Sequence, residues 1–319
     1  MSQAEDPDEA IYVSAEKRRS VAPKLAEYAG LTDDVVAYGT HVLAWAHTAT
    51  SGRPQNVLPA LMFFRRGLEI ADGISALIRE CAPDAARPLL RVQLEALLQF
   101  RYLTQEDNER RGRAFRYFEL LGRMRQLDTV DPGTEAGKKF WTSVPGDGLL
   151  GRVRLRGDET FSEQRVELQQ ALEAPAYVEV RAEVRRLREA RQPRRRWYSL
   201  FGGPGNMEQL AARVGYAATY AEFYREWSES IHAQDSQRQG LAQEGERRFL
   251  RHIRNPEAAL PTTVKTISLT LKLLCDGCRF YAPERAPEFV AWYRSVVDSR
   301  VRSVVQEWPG ITVIHEFGT

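Results

Sequence analysis

Arg225 and His232 stand seven residues apart in the run Tyr224-Arg225-Glu226-Trp227-Ser228-Glu229-Ser230-Ile231-His232. Seven residues make two helical turns, so both side chains would share a face with Ala221 and Ser228. On a neighbouring stripe fall Tyr216, Tyr220, Tyr224, Trp227 and Ile231, an aromatic wall that must be core or interface. A permanent cation beside a group that titrates near neutral pH, both sheltered by rings, suits phosphate chemistry. Cleaving RNA without a metal needs a base to take the ribose 2′-hydroxyl proton and a fixed cation to offset charge on the attacked phosphate. Histidine fits the first role. Arginine fits the second, because its fork binds two phosphate oxygens at once. On spacing alone, a lone Arg and His on one helix face usually form the hydrogen-bonded rim of a core.

A second polar pair lies upstream, Arg91 and Glu95 in RPLLRVQLEALLQFRYL. Opposite charges four apart on an apolar helix form either a packing salt bridge or a support for the later row, with Arg91 as a second phosphate donor and Glu95 orienting Arg225 or His232. Between these segments, Arg181 to Arg196 holds eight arginines against two glutamates. The tract is a solvated helix face, or a surface for RNA or a partner with Arg185, Arg188, Arg194, Arg195 and Arg196 as contacts. Cys275-Asp276-Gly277-Cys278 has the spacing of a metal half-site but no second pair, and His41 and His47, six apart, point to different faces. The turn Gly202-Gly203-Pro204-Gly205 lacks the lysine of a nucleotide loop. No cofactor or metal is expected.

The elements that must position these residues are helices. Periodicity predicts helices over about Asp33 to Ala49, capped at Thr32 or Asp33, and over Asn56 to Arg79, with Leu58, Leu61, Met62, Leu68 and Ile74 facing the core. A third begins with Asp84 as cap and Pro88 in its first turn, carries Leu89, Leu90, Leu94, Leu97 and Leu98, and ends near Glu106. Others follow over Asn108 to Leu127, Ser162 to Arg191, Met207 to Ala233, Thr262 to Tyr281 and Pro287 to Gln306. Glycine and proline interrupt the pattern from about 129 to 162. The expected organisation is all-α: a polar segment over 1–31, a single multi-helix bundle domain over 32–306 containing that irregular excursion, and a tail over 307–319, extended or a short strand.

With 319 residues and 43% hydrophobic content the chain can bury a substantial core. Its net charge of +2 supplies no strong overall field, and 39 of its 45 basic residues are arginine. Three cysteines suit a reducing compartment, and the polar start MSQAEDPDEA is unlike a secretory signal. A cytoplasmic protein with no membrane association is expected.

The Arg225 to His232 run resembles the helix of the HEPN superfamily (higher eukaryotes and prokaryotes nucleotide-binding domain), whose signature is arginine, four to six residues, then histidine. Trp197, Leu210-Ala211, Gly215, Tyr220, Tyr224-Arg225, Ser228 and His232 also resemble a bacterial family of helical proteins described only as a domain of unknown function. That family carries a Tyr-Arg-x-x-Ser-x-x-x-His helix and, on an earlier helix, an arginine and a glutamate four apart, matched by Arg91 and Glu95. The resemblance spans roughly Asn56 to Ala233. It departs at Glu226, where many HEPN nucleases have Asn, Asp or His.

The resemblance implies a metal-independent endoribonuclease or toxin, acting in stress or phage defence, with Arg225 and His232 catalytic and Ser228, Arg91 and Glu95 in support. It further implies a homodimer with one composite site and, as partners, RNA or nucleotide and an antitoxin or other defence component. Two other classes stay open: a non-catalytic nucleotide- or RNA-binding module or regulatory partner, and a helical scaffold or dimerisation protein.

Overall fold

The computed structural model describes residues 13–52, 58–153, 159–191, 196–224, 227, 240–244 and 247–307. The expected tail over 307–319 lies outside them save for Glu307. Among the described residues the fold is all-α, apart from one small hairpin. Its chain divides into two compact units, residues 1–106 with 207–319, and residues 107–206. The span 32–306, expected as one domain, includes residues of both units.

In the first unit, α1 spans Ala15–Thr50. It begins well before the expected Asp33, because Ser14 caps it by accepting from the Lys17 amide at 3.1 Å. The segment 1–31, read as polar, is therefore helical from Ala15 and buries Leu25, Tyr28 and Leu31. Its apolar stripe recurs only every third or fourth position, and the charged remainder masks it. The next helices are α2, Leu58–Arg79, and α3, Arg87–Gln105. Met62 faces away from the core, 47% exposed. Asp84 is not the cap of α3; it sits in a 3-10 turn, Pro83–Ala86, that leads into the helix.

Among the described residues this unit's later helices are α8, Met207–Arg213; α9, Ala217–Thr219, prolonged by a π turn over Tyr220–Tyr224; α10, Ala259–Tyr281; and α11, Ala286–Trp292. A second π turn, Tyr293–Val297, joins α11 to α12, Asp298–Gln306. Strands β1, Leu241–Glu244, and β2, Arg247–Leu250, pair antiparallel in a hairpin that hydrophobic periodicity did not announce. The core is a four-helix layer of α1, α2, α3 and α10, filled by Val35, Val42, Phe64, Ile74, Leu94, Leu98, Phe100, Leu271 and Leu274. Gly277 lets α10 approach α2 closely, since a Cβ there would overlap the Phe64 ring. The end of α12 returns to α1: the Tyr28 hydroxyl donates to Glu307 Oε2 at 2.7 Å and Arg300 pairs with Asp34.

The second unit contains α4, Asn108–Val130; α5, Glu135–Ser143; α6, Glu159–Glu173; and α7, Val178–Glu189. The excursion expected to be irregular includes α5, which Thr134 caps by accepting from the Gly137 amide at 2.9 Å. The single helix expected over Ser162 to Arg191 is broken in two at Pro175. Lacking an amide hydrogen, Pro175 drives Ala174 to extended backbone (ψ 143°). Ala114, Tyr117, Val180, Leu187 and Leu200 form one buried cluster, and Leu120, Leu127 and Leu168 another. Arg165 ties the end of α4 together, reaching Asp128 at 2.6 Å and Asp131 at 2.7 Å. A 3-10 turn, Trp197–Gly202, closes the unit and contains Phe201 in the left-handed region (φ 55°). Buried Glu183 on α7 holds that strained residue by accepting from its amide at 3.1 Å.

Candidate functional site

The structure joins Arg91 and Glu95 on α3 to Tyr224, the residue immediately before Arg225. Arg91 Nε donates to Glu95 Oε1 at 3.0 Å, and Arg91 Nη2 donates to the Tyr224 hydroxyl at 2.6 Å. The same hydroxyl donates to Glu95 Oε1 at 2.8 Å, closing a three-membered ring of bonds. The guanidinium also lies 4.4 Å from the centre of the Tyr224 ring. Burial first, then the Glu95 charge, pushes the Tyr224 phenol well above its ordinary range. It therefore stays a donor toward Glu95 at every physiological pH. Arg91 is fastened as a buttress between Glu95 and Tyr224.

The local backbone explains why Tyr224 reaches that far. The expected helix over Met207 to Ala233 is interrupted at Gly215 (φ 86°), where the chain turns before restarting at Ala217. A π turn follows at once. Its i to i+5 bonding fits more residues into a turn than the 3.6 of an α-helix, and residues four apart still lie on one face. Tyr220 and Tyr224 accordingly stack at 4.2 Å and 19°. Phe223 and Trp227 stack at 5.3 Å and 10° behind them, with Lys265 of α10 lying 4.7 Å from the Phe223 ring centre. Trp227 is 1% exposed, so the expected aromatic wall does anchor in the core there.

A second arginine of α3 repeats the motif one segment earlier. Arg101 Nη1 donates to the Tyr216 hydroxyl at 3.2 Å, and its guanidinium lies 5.2 Å from that ring's centre. Asp276 on α10 flanks it, 3.5 Å from Arg101 Nη1 and 3.2 Å from Lys272 Nζ. Burial, with Asp276 adding, pushes the Tyr216 phenol up to about 12. Residues 216 to 224 thus run antiparallel to α3 and are pinned at both ends. Sequence reasoning missed this second clamp because it read the 275–278 motif for its cysteines, which are buried and free. The available signal was Arg101, a second arginine on the face of an otherwise apolar helix.

Arg225, Ser228 and His232 lie outside the described residues. So do Arg194 and Arg195, whereas Arg185 and Arg188 are exposed on α7 and Arg196 is exposed ahead of the last 3-10 turn. Ala221, expected to share a face with Arg225, lies within the π turn. His41 and His47 are both exposed on α1. Among the described residues no three His, Cys, Asp or Glu side chains gather to hold a metal ion, and no helix is long and apolar enough to cross a membrane.

The Tyr224 clamp makes one direct expectation. Tyr224→Phe keeps the ring over Arg91 but removes both hydroxyl bonds to charged groups, so it should cost about 1.5–3 kcal/mol of stability in urea unfolding. A change below about 0.5 kcal/mol would show that the ring, not the hydroxyl, does the fastening.

No curated protein and no solved structure matches the chain. A family model described as "Family of unknown function (DUF5677)" matches residues 57–241, which contain Arg91, Glu95 and the whole run from Tyr216 to His232. With more than half of its length matched, the chain belongs to this family of unknown function, DUF5677.

Proposed function

We propose that the protein is a metal-independent, HEPN-like endoribonuclease, a toxin or defence effector, with His232 as general base and Arg225 as phosphate anchor. The observation that carries this reading is the ring of bonds among Arg91, Glu95 and Tyr224. It fastens the residue preceding Arg225 to α3, and a phosphate anchor needs such fixed support to hold its geometry. In the reaction, His232 takes the proton of a ribose 2′-hydroxyl, and the freed oxygen attacks the adjacent phosphorus. The bond to the 5′-oxygen breaks, and that oxygen leaves with a proton from solvent or from the second histidine of a dimer. The products are a 2′,3′-cyclic phosphate and a 5′-hydroxyl. Arg225 offsets the charge gathering on the non-bridging oxygens throughout.

One Arg225 to His232 row supplies half of a composite site, so the working species is a homodimer, which sedimentation at tens of micromolar reads directly. The decisive assay is incubation of purified protein with single-stranded RNA in a chelator, with the new ends analysed chemically. Cyclic phosphate ends support the reading. Intact RNA with measurable nucleotide binding assigns a non-catalytic binding module instead, and neither activity assigns a scaffold. In cells, expression should arrest growth, and His232→Ala should relieve the arrest.

A further inference from the structure

The arginine tract of the second unit separates into side chains that are used internally and side chains that are not. Arg181 donates from Nη1 to the carbonyls of Leu172 at 2.7 Å and Ala174 at 3.0 Å, closing the carbonyl end of α6. Arg186 spreads its fork over both oxygens of Glu183, at 2.7 and 2.8 Å. Arg185, Arg188 and Arg191 are different. All three are exposed, and their guanidinium groups make no hydrogen bond or ion pair among the described residues. Arg185 and Arg188 are three apart on α7 and share a face. Arg191 follows directly, past the point where the backbone leaves the helix with a left-handed φ of 49°.

Charge counts extend this local picture to the whole unit. Residues 184–196 hold seven arginines against a single acid, Glu189. Residues 107–206 carry twenty basic and fifteen acidic side chains, and eighteen of the twenty are arginine. The rest of the chain carries 25 basic and 28 acidic side chains. The overall +2 conceals a basic unit joined to an acidic one. Planar guanidinium forks match phosphate oxygens bidentately, which a lysine surface does not, and three unspent forks in a short stretch suit successive phosphates of one strand.

We propose that residues 107–206 are the RNA-capturing unit of this protein, with Arg185, Arg188 and Arg191 contacting backbone phosphates. This rests on the RNA-cleaving reading and adds to it a substrate-holding surface on the unit whose residues do not include Arg225 and His232. Capture is sequence-independent and salt-sensitive, since phosphates carry no base identity.

The test is equilibrium binding of fluorescein-labelled oligouridine to full-length protein carrying His232→Ala, in chelator, over a range of salt. A second protein adds Arg185→Gln, Arg188→Gln and Arg191→Gln; a third instead adds Arg123→Gln, Arg125→Gln and Lys139→Gln, removing the same charge from other exposed positions of the unit. Losing three single-strand phosphate contacts should flatten the slope of log affinity against log salt by about 2 and weaken binding about tenfold or more at low salt. The third protein should stay close to the first, and circular dichroism should show all three equally helical. Equal losses in the second and third proteins would reduce the effect to net charge and overturn the proposal. So would polyglutamate binding as tightly as RNA, which would assign the surface to an acidic protein. If the second protein binds normally while His232→Ala still abolishes cleavage, this proposal falls and the catalytic reading stands. If no RNA binds at all, both fall together.

Discussion

His232→Ala should lower the single-turnover rate of RNA cleavage in chelator by about a hundredfold to ten-thousandfold, the usual contribution of a general base. Affinity for RNA should change little, because the imidazole acts on the 2′-hydroxyl proton and not on the phosphates that hold the strand. Arg225→Lys should also fail. Lysine keeps the charge but presents a point where the phosphate needs a fork, so retained activity in that variant would reduce the anchor to plain electrostatics. Cleavage should rise with pH until the base is fully deprotonated, a dependence that disappears in His232→Ala. The result that sinks the assignment is structural: if His232→Ala lowers the unfolding midpoint as much as it lowers the rate, the histidine is a core or rim residue. Undiminished cleavage would sink it as well.

Features set by local pattern are legible in the sequence, and features set by tertiary contact are not. The helices with continuous apolar periodicity, such as α3 with Leu90, Leu94 and Leu98, were legible. The start of α1 was not, because a buried residue every third or fourth position among charges looks like a polar segment until a partner helix covers it. Pro175 was available as a breaker between α6 and α7 but was outweighed by the periodicity on either side. The pairing of Arg91 with Glu95 was readable from spacing. Their union with Tyr224 was not, because it needs a π turn, and nothing in a side-chain pattern announces the insertion of one residue into a helical turn. Charge behaved likewise. Eight arginines within residues 181–196 are visible in the sequence, yet only the structure shows that Arg181 and Arg186 are consumed by a helix end and by Glu183.

Trp227→Ala should destabilise the first unit by about 3–5 kcal/mol in urea unfolding, the range for deleting a large buried aromatic side chain. The ring is 1% exposed, stacked on Phe223 at 5.3 Å and approached by Lys265 at 5.6 Å, so its removal strands a partner ring and a cation as well as opening a cavity. Total stability is typically about 5–15 kcal/mol, so this one change removes a large share of it. Trp227→Phe keeps a ring over Phe223 and should recover most of the loss. The position separates two roles that share one short segment. Tyr224 and Trp227 fasten the segment, to α3 and into the core respectively, whereas Arg225 and His232 carry the chemistry in the proposed reading. Trp227→Ala should therefore lose cleavage only in proportion to the unfolded fraction, with activity returning as temperature is lowered, whereas His232→Ala stays inactive while folded. If Trp227→Ala cost less than about 1 kcal/mol, the wall would not be a core element. The clamps at Tyr216 and Tyr224 would then have to hold the segment alone.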